Sequence, residues 1–182
     1  MKLSIIVSVF NEEQVLNLFY SKLVEILKIG GYNYEIIFVN DGSTDSSQKV
    51  IESFALENEN VKSILFSTNF GHEAAMIAGI DYATGQAIVC MDSDLQHPPL
   101  VLPEMFERFS IGDVDIINMV RKTNGKKSPS PLFYKFLNLI SPYTFESNAS
   151  DFFLISERVA KVLRENYRER VRFLRGFIQI MG

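Results

Sequence analysis

Residues 87–99 (AIVCMDSDLQHPP) carry the clearest structural signal in the chain. The first five form an apolar run, rich in β-branched side chains and without helical spacing, which indicates a buried strand. Asp92 and Asp94 follow the run directly, and Pro98 and Pro99 fit the first turn of a helix, where proline is tolerated. The segment therefore predicts a strand that ends at two carboxylates and leads into a helix.

The same alternation extends through the first 120 residues. Similar strand-like runs lie at residues 3–9, 35–39, 61–66 and 114–120. Stretches with the apolar spacing of helices lie between them, at residues 15–27, 45–57 and 71–83. Asn11 is the predicted N-cap of the first helix, with Glu12 and Glu13 in its first turn. Strands that alternate with helices in this way predict an α/β fold with a mainly parallel sheet.

Polar clusters follow three of these predicted strands, at residues 11–12, 41–43 and 92–94. In a parallel sheet the carboxyl ends of the strands lie at one edge, and ligands bind there. We therefore expect the three clusters to converge on a single site.

The pattern changes after residue 120. Residues 121–131 are rich in Lys, Pro, Ser and Gly, which indicates a basic loop. A short apolar helix is predicted at residues 132–140 and a strand at residues 152–155. Two further helices are predicted at residues 157–166 and 168–181, the second of them rich in arginine.

Length and composition limit the class of protein. A chain of 182 residues is the size of one compact domain. Its 47% hydrophobic and 22% charged residues match a globular protein and exclude disordered, collagen-like and coiled-coil chains. No apolar run approaches the about 18 residues of a membrane-spanning helix, and a secretory signal is not expected. The single cysteine, Cys90, favours a reducing, cytoplasmic location, and we expect it to be an inert core residue.

Charge is distributed unevenly along the chain. Residues 1–100 carry 5 basic and 13 acidic side chains, whereas residues 101–182 carry 13 basic and 9 acidic ones. An acidic first part suits a metal site, and a basic second part suits phosphate, nucleic acid or an anionic membrane surface. Five arginines near the C-terminal end form either a solvated face or an anion site: Arg164, Arg168, Arg170, Arg172 and Arg175.

Asp92 and Asp94 are the strongest candidates for a metal site. Two carboxylates this close at a strand end repel each other, and burying them without a cation is costly. Mg²⁺ or Mn²⁺ takes one or two carboxylates and leaves positions for water and substrate phosphates, and Gln96 offers a further oxygen. The alternatives are a solvated loop and a capping role for Asp94 at the next helix.

Four other polar residues have competing explanations. Asp41 could accept a hydrogen bond from a nucleobase imide or a ribose hydroxyl, whereas the turn and helix cap that follow it explain the rest of its motif. Asp151, beside a later strand, is a general base or a capping residue with equal support. His72 and His97 lack the spacing of a zinc site, so each is predicted to form hydrogen bonds instead.

Five motifs, taken in order, resemble those of one known family. Residues 6–13 (IVSVFNEE), 39–45 (VNDGSTD) and 92–99 (DSDLQHPP) look like the three N-terminal motifs of family 2 glycosyltransferases. The last of these is similar to the branch that contains dolichol-phosphate mannose synthases and polyprenyl-phosphate glucosyltransferases. Residues 150–154 and 172–176 resemble later motifs of the same branch, so that the resemblance covers nearly the whole chain.

The resemblance implies a GT-A fold, a mainly parallel, Rossmann-like α/β sheet flanked by helices, in one domain over residues 1–182. Residues 1–120 would form the nucleotide-sugar-binding half and residues 121–182 the acceptor-side half. Membrane-bound relatives continue into transmembrane helices. We therefore expect a chain that is either incomplete at its C-terminus or a shorter relative.

The resemblance also implies a role for each matching residue. Asp94 and Gln96 would bind Mg²⁺ or Mn²⁺, which makes Asp94 a catalytic residue. Asp151 would be the acceptor-side base. Arg172 and Arg175 would face the acceptor phosphate or the diphosphate. The nucleoside-diphosphate sugar would be held by Phe10, Asn11, Glu12, Asp41, Asp92, Ser93 and Arg121.

The sequence departs from the family pattern at three positions. Ser8 stands where the family usually has proline, and Asn40 where a first aspartate is common. Phe153 replaces the arginine that is usual in the motif after Asp151, which predicts the loss of one acceptor contact.

The implied reaction is an inverting transfer of a sugar from a nucleoside-diphosphate sugar, with UDP favoured over GDP. A polyprenyl phosphate is the favoured acceptor because the second half of the chain is basic. The alternatives are a saccharide hydroxyl as acceptor, or a nucleotide-sugar-binding module without turnover. Peripheral membrane association and a homo-oligomer are both compatible with these functions, and no nucleic-acid partner is expected.

Two other enzyme classes fit the sequence less well. A haloacid-dehalogenase-like phosphatase needs its Asp-x-Asp after the first strand, whereas here the motif follows the fourth. A nicotinamide dehydrogenase needs Gly-x-Gly-x-x-Gly after the first strand, and this chain has Phe-Asn-Glu-Glu there.

Overall fold

The structure is a computed structural model that describes residues 1–112, 114–120, 149–166 and 174–181. The described residues form six strands: β1 (Lys2–Val9), β2 (Asn33–Asn40), β3 (Val61–Leu65), β4 (Ala87–Asp92), β5 (Ile116–Val120) and β6 (Ala149–Ser156). They also form six helices: α1 (Leu16–Ile29), α2 (Ser47–Glu57), α3 (His72–Tyr82), α4 (Leu102–Ile111), α5 (Glu157–Asn166) and α6 (Leu174–Met181). A 3₁₀ turn at Pro99–Val101 leads into α4.

The described strands form one sheet in the order β3-β2-β1-β4-β6-β5. The first four of these strands are parallel, whereas β6 runs antiparallel to both β4 and β5. The predicted α/β fold with a mainly parallel sheet is therefore confirmed. The antiparallel pairing places the motif at residues 150–154, on β6, directly beside the strand that leads to the Asp-x-Asp motif.

Alternating side chains of the strands build a core on each face of the sheet. On one face, Leu3, Ile5 and Val7 of β1 belong to a buried cluster with apolar residues of α1, α2 and α4. On the other face, Ile6 packs in a second cluster with α3, α5 and α6. Because both faces are covered, the central strands read as continuous apolar runs, as expected for parallel strands.

Most predicted elements are present, with small shifts at their ends. The fifth strand begins at Ile116, two residues later than predicted. The last predicted helix is described only from Leu174 onwards. The predicted basic loop at residues 121–131 and the helix at residues 132–140 lie outside the described residues.

The prediction that Asn11 caps the first helix is wrong. Helix α1 begins at Leu16, after Val15, and no side chain caps it. Asn11 has a φ of 56°, in the left-handed region that asparagine tolerates better than most residues. Glu12 and Glu13 therefore lie in the loop after β1 and not in a helical turn.

Arg164 has a structural role that differs from both predictions for the arginine group. Its guanidinium donates to the carbonyl oxygens of Ile80, at 3.0 Å from Nε, and of Ala83, at 2.8 Å from Nη2. These carbonyls lie at the C-terminal end of α3, where a cation is favoured. Arg164 thus ties α5 to α3 and is part of the fold.

The buried carboxylate of Glu35 contacts several residues at the N-terminal ends of the parallel strands. This is the side of the sheet opposite to the carboxyl ends of the strands. Glu35 is 2% exposed and accepts hydrogen bonds from Ser4 Oγ at 2.6 Å and from the Thr84 N–H at 2.7 Å. Its Oε2 lies 2.7 Å from Lys62 Nζ and 3.2 Å from Lys2 Nζ. Burial alone raises the pKa of Glu35, but the bonds to Lys62, Ser4 and Thr84 outweigh it and lower this pKa to about 2.

We predict that Glu35→Gln destabilises the fold in a pH-dependent way. The ionised carboxylate stabilises the folded state fully above its ordinary pKa of 4.5, and this contribution is lost as the pH falls towards 2. At pH 7 the variant should lose roughly 2 kcal/mol of unfolding free energy, since both lysines are partly exposed and screened. Urea unfolding between pH 3 and pH 7 measures the difference.

The control is Glu104→Gln, which removes an exposed carboxylate paired with Arg108 on α4. It should change the free energy of unfolding by less than about 0.5 kcal/mol at every pH. Equal losses in the two variants, or a Glu35→Gln loss that does not shrink on acidification, would contradict the account of Glu35.

Candidate active site

The carboxyl ends of β1, β2 and β4 meet in one cavity, as predicted. The register places Ser8 of β1 beside Asp92 of β4, and Val9 of β1 beside Asn40 of β2. The cavity has a volume of about 290 Å³ and is lined by Ser8, Phe10, Glu12, Asp41, Asn69, Gly71, His72, Asp92, Ser93 and Asp94. The described lining thus contains residues from all three predicted polar clusters and no lysine or arginine.

The loops after β1 and β2 fix each other. The Asn11 N–H donates to Ser43 Oγ at 2.9 Å, and Asn11 Oδ1 accepts the Thr44 N–H at 2.8 Å. The Glu12 N–H donates to Ser47 Oγ at 2.9 Å. Phe10 precedes these contacts and keeps 46% of its surface exposed at the cavity. One wall of the cavity is therefore fixed by the chain itself.

Asp41 is buried and holds the loop that leads into α3. Its Oδ1 accepts the Phe70 N–H at 2.7 Å, and its Oδ2 accepts the Gly71 N–H at 2.9 Å. Gly42, with a φ of 68°, allows the turn, and a Cβ there would meet the Thr68 carbonyl carbon at 2.4 Å. Asp41 therefore has a loop-fixing role. Its predicted contact with a nucleoside stays a prediction, for which the remaining lone pairs of the carboxylate leave room.

Asn40 shows why an amide is tolerated where the family has aspartate. Its Oδ1 accepts the Ser43 N–H at 2.9 Å, and its Nδ2 donates to Gln48 Oε1 at 3.0 Å. A carboxylate could accept the first bond but could not donate the second.

Negative charge is concentrated at the cavity. Burial raises the pKa of Asp92, with further contributions from Asp94 and Asp151, while His72 and His97 lower it. Burial also raises the pKa of Glu12, again with contributions from Asp94 and Asp92. The carboxylates therefore destabilise one another's ionised forms in the absence of a cation.

The turn after β4 presents Asp94. The Gln96 N–H donates to Asp94 Oδ1 at 2.9 Å, within a turn in which Leu95 has a φ of 63°. The alternative capping role for Asp94 is therefore wrong, because this bond lies inside the turn and ahead of the following helix. A positive φ at leucine is uncommon, and such backbone strain clusters at functional sites.

The other two predicted residues of this turn differ in exposure. Ser93 is buried, and its Oγ donates to the Ser8 carbonyl at 3.4 Å. The Gln96 side chain is exposed and is not among the residues that line the cavity. Its predicted metal contact stays a prediction.

The donor set at the cavity fits a hard divalent cation. Within the described ranges, no three His, Cys, Asp or Glu side chains converge closely enough to form a metal centre on their own. Mg²⁺ and Mn²⁺ need fewer protein ligands, because they keep waters and bind substrate phosphates. Carboxylates that raise one another's pKa, in a described lining without lysine or arginine, are an environment that such an ion relieves.

His97 connects the Asp-x-Asp turn to β6, and its predicted hydrogen-bonding role is confirmed. Its Nδ1 accepts the Asp92 N–H at 2.9 Å, so the proton lies on Nε2, which donates to Ser150 Oγ at 2.9 Å. The ring is buried and stacks on Phe152, with centroids 5.2 Å apart. The imidazole thereby fixes the end of β4 against the start of β6.

Asp151 lies at the same edge because β6 pairs with β4. Its Oδ2 is 3.9 Å from His72 Nε2, and its side chain is 23% exposed. His72 also contacts Ser8 Oγ at 3.1 Å and Asp92 Oδ1 at 3.3 Å, both from Nδ1, so its predicted hydrogen-bonding role is confirmed. Asp92 and Asp151, which the family resemblance assigns to the donor and acceptor sides, thus both contact His72.

The remaining predictions divide between the core and the undescribed parts of the chain. Cys90 is fully buried, and burial raises the pKa of its thiol well above the usual value, so its inert role is confirmed. Phe153, in place of the usual arginine, is 2% exposed and packs in the core beneath α3 and α5. Arg121 and Arg172 lie outside the described residues, and for Arg175 only the backbone position in α6 is described.

Sequence analysis missed the roles of Ser8 and Ser150, which orient the two histidines. Ser8 was noted only as a departure from proline, and Ser150 only as part of a motif. At Ser8 a polar residue inside an apolar strand run was the available signal, since a buried hydroxyl needs a partner, whereas Ser150 lies ahead of the strand predicted at residues 152–155 and gave no such signal.

Comparison with known proteins agrees with this geometry. Residues 4–163 match the profile of glycosyl transferase family 2. A prophage bactoprenol glucosyl transferase homolog of Escherichia coli (strain K12) is 37% identical over the whole chain, which covers 60% of that protein. The chain spans about 60% of the length of the curated relatives it matches first.

Two solved structures share the architecture. S. aureus TarS 1–349 in complex with UDP-GlcNAc has a TM-score of 0.65 at 19% identity, over 99% of this chain and 54% of that one. Glucosyl-3-phosphoglycerate synthase from Mycobacterium tuberculosis, in complex with Mn²⁺, UDP-Glc and phosphoglyceric acid, has a TM-score of 0.64 at 18% identity. That match covers 89% of this chain and 58% of the synthase.

Within the described ranges, no helix combines the length and hydrophobicity that crossing a bilayer requires.

The structural likeness shows the GT-A fold. With the profile match over most of its length, the chain belongs to glycosyl transferase family 2.

Proposed function

We propose that this chain is the catalytic domain of an inverting glycosyltransferase that moves a sugar from a UDP-sugar to a polyprenyl phosphate. The observation that carries the proposal is the acidic cavity, where Glu12, Asp92 and Asp94 lie together at the strand ends. Similarity along the whole chain to a protein named bactoprenol glucosyl transferase homolog supports the lipid acceptor. A structural neighbour that holds UDP-GlcNAc supports the donor.

The donor is proposed to lie across the ends of β1, β2 and β4. Phe10 offers an exposed aromatic ring for a base to stack on, and Asp41 offers its remaining lone pairs to the nucleoside. Asn11 and Glu12 form the wall that the loop contacts fix. Arg121 is proposed to face the diphosphate, as the family resemblance implies.

Asp94 is proposed to hold Mg²⁺ or Mn²⁺, with Gln96 as a further ligand. When bound, such an ion supplies positive charge that stabilises the departing diphosphate. Asp92 is kept in place by the bond from its N–H to His97 and by the contact of its Oδ1 with His72. Ser93 packs beneath it, so the turn is ordered by the fold itself.

The acceptor is proposed to approach from the side of β6 and to attack the sugar carbon opposite to the diphosphate. A polyprenyl phosphate is already anionic, so Asp151 need not remove a proton, and Arg172 and Arg175 are proposed to bind the phosphate. The enzyme would then work at a membrane surface.

A saccharide hydroxyl is the second candidate acceptor. The position of Asp151 beside the cavity favours it, because a hydroxyl must lose a proton to a base during attack.

We predict that Asp94→Asn weakens metal-dependent UDP binding. With Mn²⁺ or Mg²⁺, the wild-type chain should bind UDP more tightly than in EDTA, and the variant should lose at least about tenfold, or 1.4 kcal/mol, of that affinity. Calorimetric titration of UDP in the presence of each metal and of EDTA measures both effects. The comparison between metals also determines which ion is preferred.

Glu25→Gln is the matched control, because it removes an exposed carboxylate of α1 away from the cavity. It should bind UDP as the wild type does. Metal-independent UDP binding by the wild type, or unchanged binding by Asp94→Asn, would contradict the metal assignment.

We predict that Asp151→Asn separates the two acceptor classes. Transfer from UDP-glucose to detergent-dispersed polyprenyl phosphate should fall by less than about tenfold, whereas transfer to a hydroxyl would fall by about 10²–10⁴-fold without its base. Steady-state transfer with polyprenyl phosphate and with a saccharide acceptor measures both. Transfer to the saccharide alone would overturn the lipid-phosphate assignment.

A further inference from the structure

His72 lies between the donor-side and acceptor-side aspartates. Its Nδ1 is 3.3 Å from Asp92 Oδ1, and its Nε2 is 3.9 Å from Asp151 Oδ2. The loop that carries it is fixed on β2 by the two hydrogen bonds that Asp41 accepts. The loop position and the ring position therefore follow from contacts within the fold.

The Nε2 atom of His72 is buried and has no hydrogen-bond partner among the described residues, although about a third of the side chain is exposed. A buried polar atom without a partner in a native fold calls for an explanation, such as a ligand that completes it. This atom lies 3.9 Å from Asp151 Oδ2, and no other described residue of the cavity lining can carry a positive charge.

Two of the three protonation forms of the His72 ring carry a proton on Nε2. Ser8 Oγ lies 3.1 Å from Nδ1 and can donate to it, which leaves the proton of a neutral ring on Nε2. A doubly protonated ring also carries a proton there, and its Nδ1–H would face Asp92 Oδ1 at 3.3 Å. The opposite neutral tautomer, which would donate from Nδ1 to Asp92 or Ser8, lacks that proton and sets the Nε2 lone pair towards Asp151 Oδ2 at 3.9 Å.

We propose that His72 is an acceptor-binding residue whose Nε2–H donates to the attacking oxygen and holds it next to Asp151. The inference rests on the proposed function, and within that function it makes His72 the residue that positions the acceptor. Both acceptor classes present an oxygen that accepts such a bond, a phosphate oxygen or a hydroxyl oxygen. Ser8, which stands where the family usually has proline, fixes the ring for this contact.

The first test is kinetic and uses three replacements of His72. His72→Gln keeps an amide N–H near the position of Nε2, whereas His72→Asn reaches only the position of Nδ1, and His72→Leu has no donor. We expect His72→Leu and His72→Asn to raise the acceptor KM by about tenfold, and His72→Gln by less than about threefold. The Kd for UDP with Mg²⁺ should stay within about twofold of the wild-type value in all three.

A purely structural role for His72 makes a different prediction. The three variants would then lose activity in proportion to their loss of thermal stability, and the affinity for UDP would fall together with that for the acceptor. Either result, or an unchanged acceptor KM in His72→Leu, would overturn the proposal.

A double-mutant cycle tests the link to Ser8. Ser8→Ala should raise the acceptor KM in the wild-type background and have no further effect in His72→Leu, because the hydroxyl acts through the ring. Additive effects of the two replacements would overturn the role of Ser8 in orienting His72.

A second measurement does not depend on sugar transfer. The chain has two histidines, so a ¹⁵N–¹H correlation spectrum of the imidazoles contains two ring systems, which His72→Gln assigns. With UDP and Mg²⁺ present, addition of citronellyl phosphate or octyl glucoside should shift the Nε2 resonance of His72. The probe that does so identifies the acceptor as a phosphate or a hydroxyl.

The two proposals fail in distinguishable ways. A wild-type chain that transfers no sugar from any UDP-sugar overturns the proposed function, and the spectrum then decides on His72 by itself. A His72 resonance that neither probe shifts overturns the acceptor-binding role, even when transfer is observed.

Discussion

Mutual repulsion among carboxylates at the ends of parallel strands is the constraint on which the site depends. Glu12, Asp92 and Asp94 lie in one cavity, and burial and their neighbours raise the pKa of the first two. Such a cluster lowers stability unless positive charge arrives, because an unpaired buried charge is costly. The two apolar cores on the faces of the sheet stabilise the fold in spite of this cluster, and under the proposed function a divalent ion would supply the matching positive charge.

At the opposite ends of the strands, the charge of a buried carboxylate is compensated by partners within the protein. Glu35 is buried there, but two lysines, a serine and a backbone N–H surround it, and its pKa falls to about 2. That carboxylate is fully paired within the protein and serves the fold. Glu35, with its lowered pKa, thus differs from Glu12 and Asp92, whose pKa values are raised, and only the latter two lie in the proposed binding site.

The alternation of periods in the sequence was enough to predict the parallel sheet and the edge at which the polar clusters meet. Apolar runs and helical spacing are local properties, and the position of strand ends follows from them. The order of the strands around β6 was not predictable, because antiparallel pairing of β4 with β6 joins residues more than 60 positions apart. For the same reason, the local sequence pattern could not predict that Asp151 lies close to His72.

Local predictions failed where a backbone conformation or a distant partner decides the outcome. Asn11 had the composition of a helix cap, but its left-handed backbone turns its side chain towards the loop after β2. The sequence around Asp41 indicated no structural role for it. In the structure it accepts the N–H groups of Phe70 and Gly71, about 30 residues further along the chain. Arg164 similarly found its partners at the end of α3.

The most direct test of the account is a crystal of the chain grown with UDP and Mn²⁺, with anomalous scattering measured to locate the manganese. The account predicts one anomalous peak in contact with the Asp94 carboxylate and with the diphosphate of UDP, within the cavity at the ends of β1, β2 and β4. Bound UDP without manganese at Asp94, or manganese held elsewhere on the protein, would contradict it.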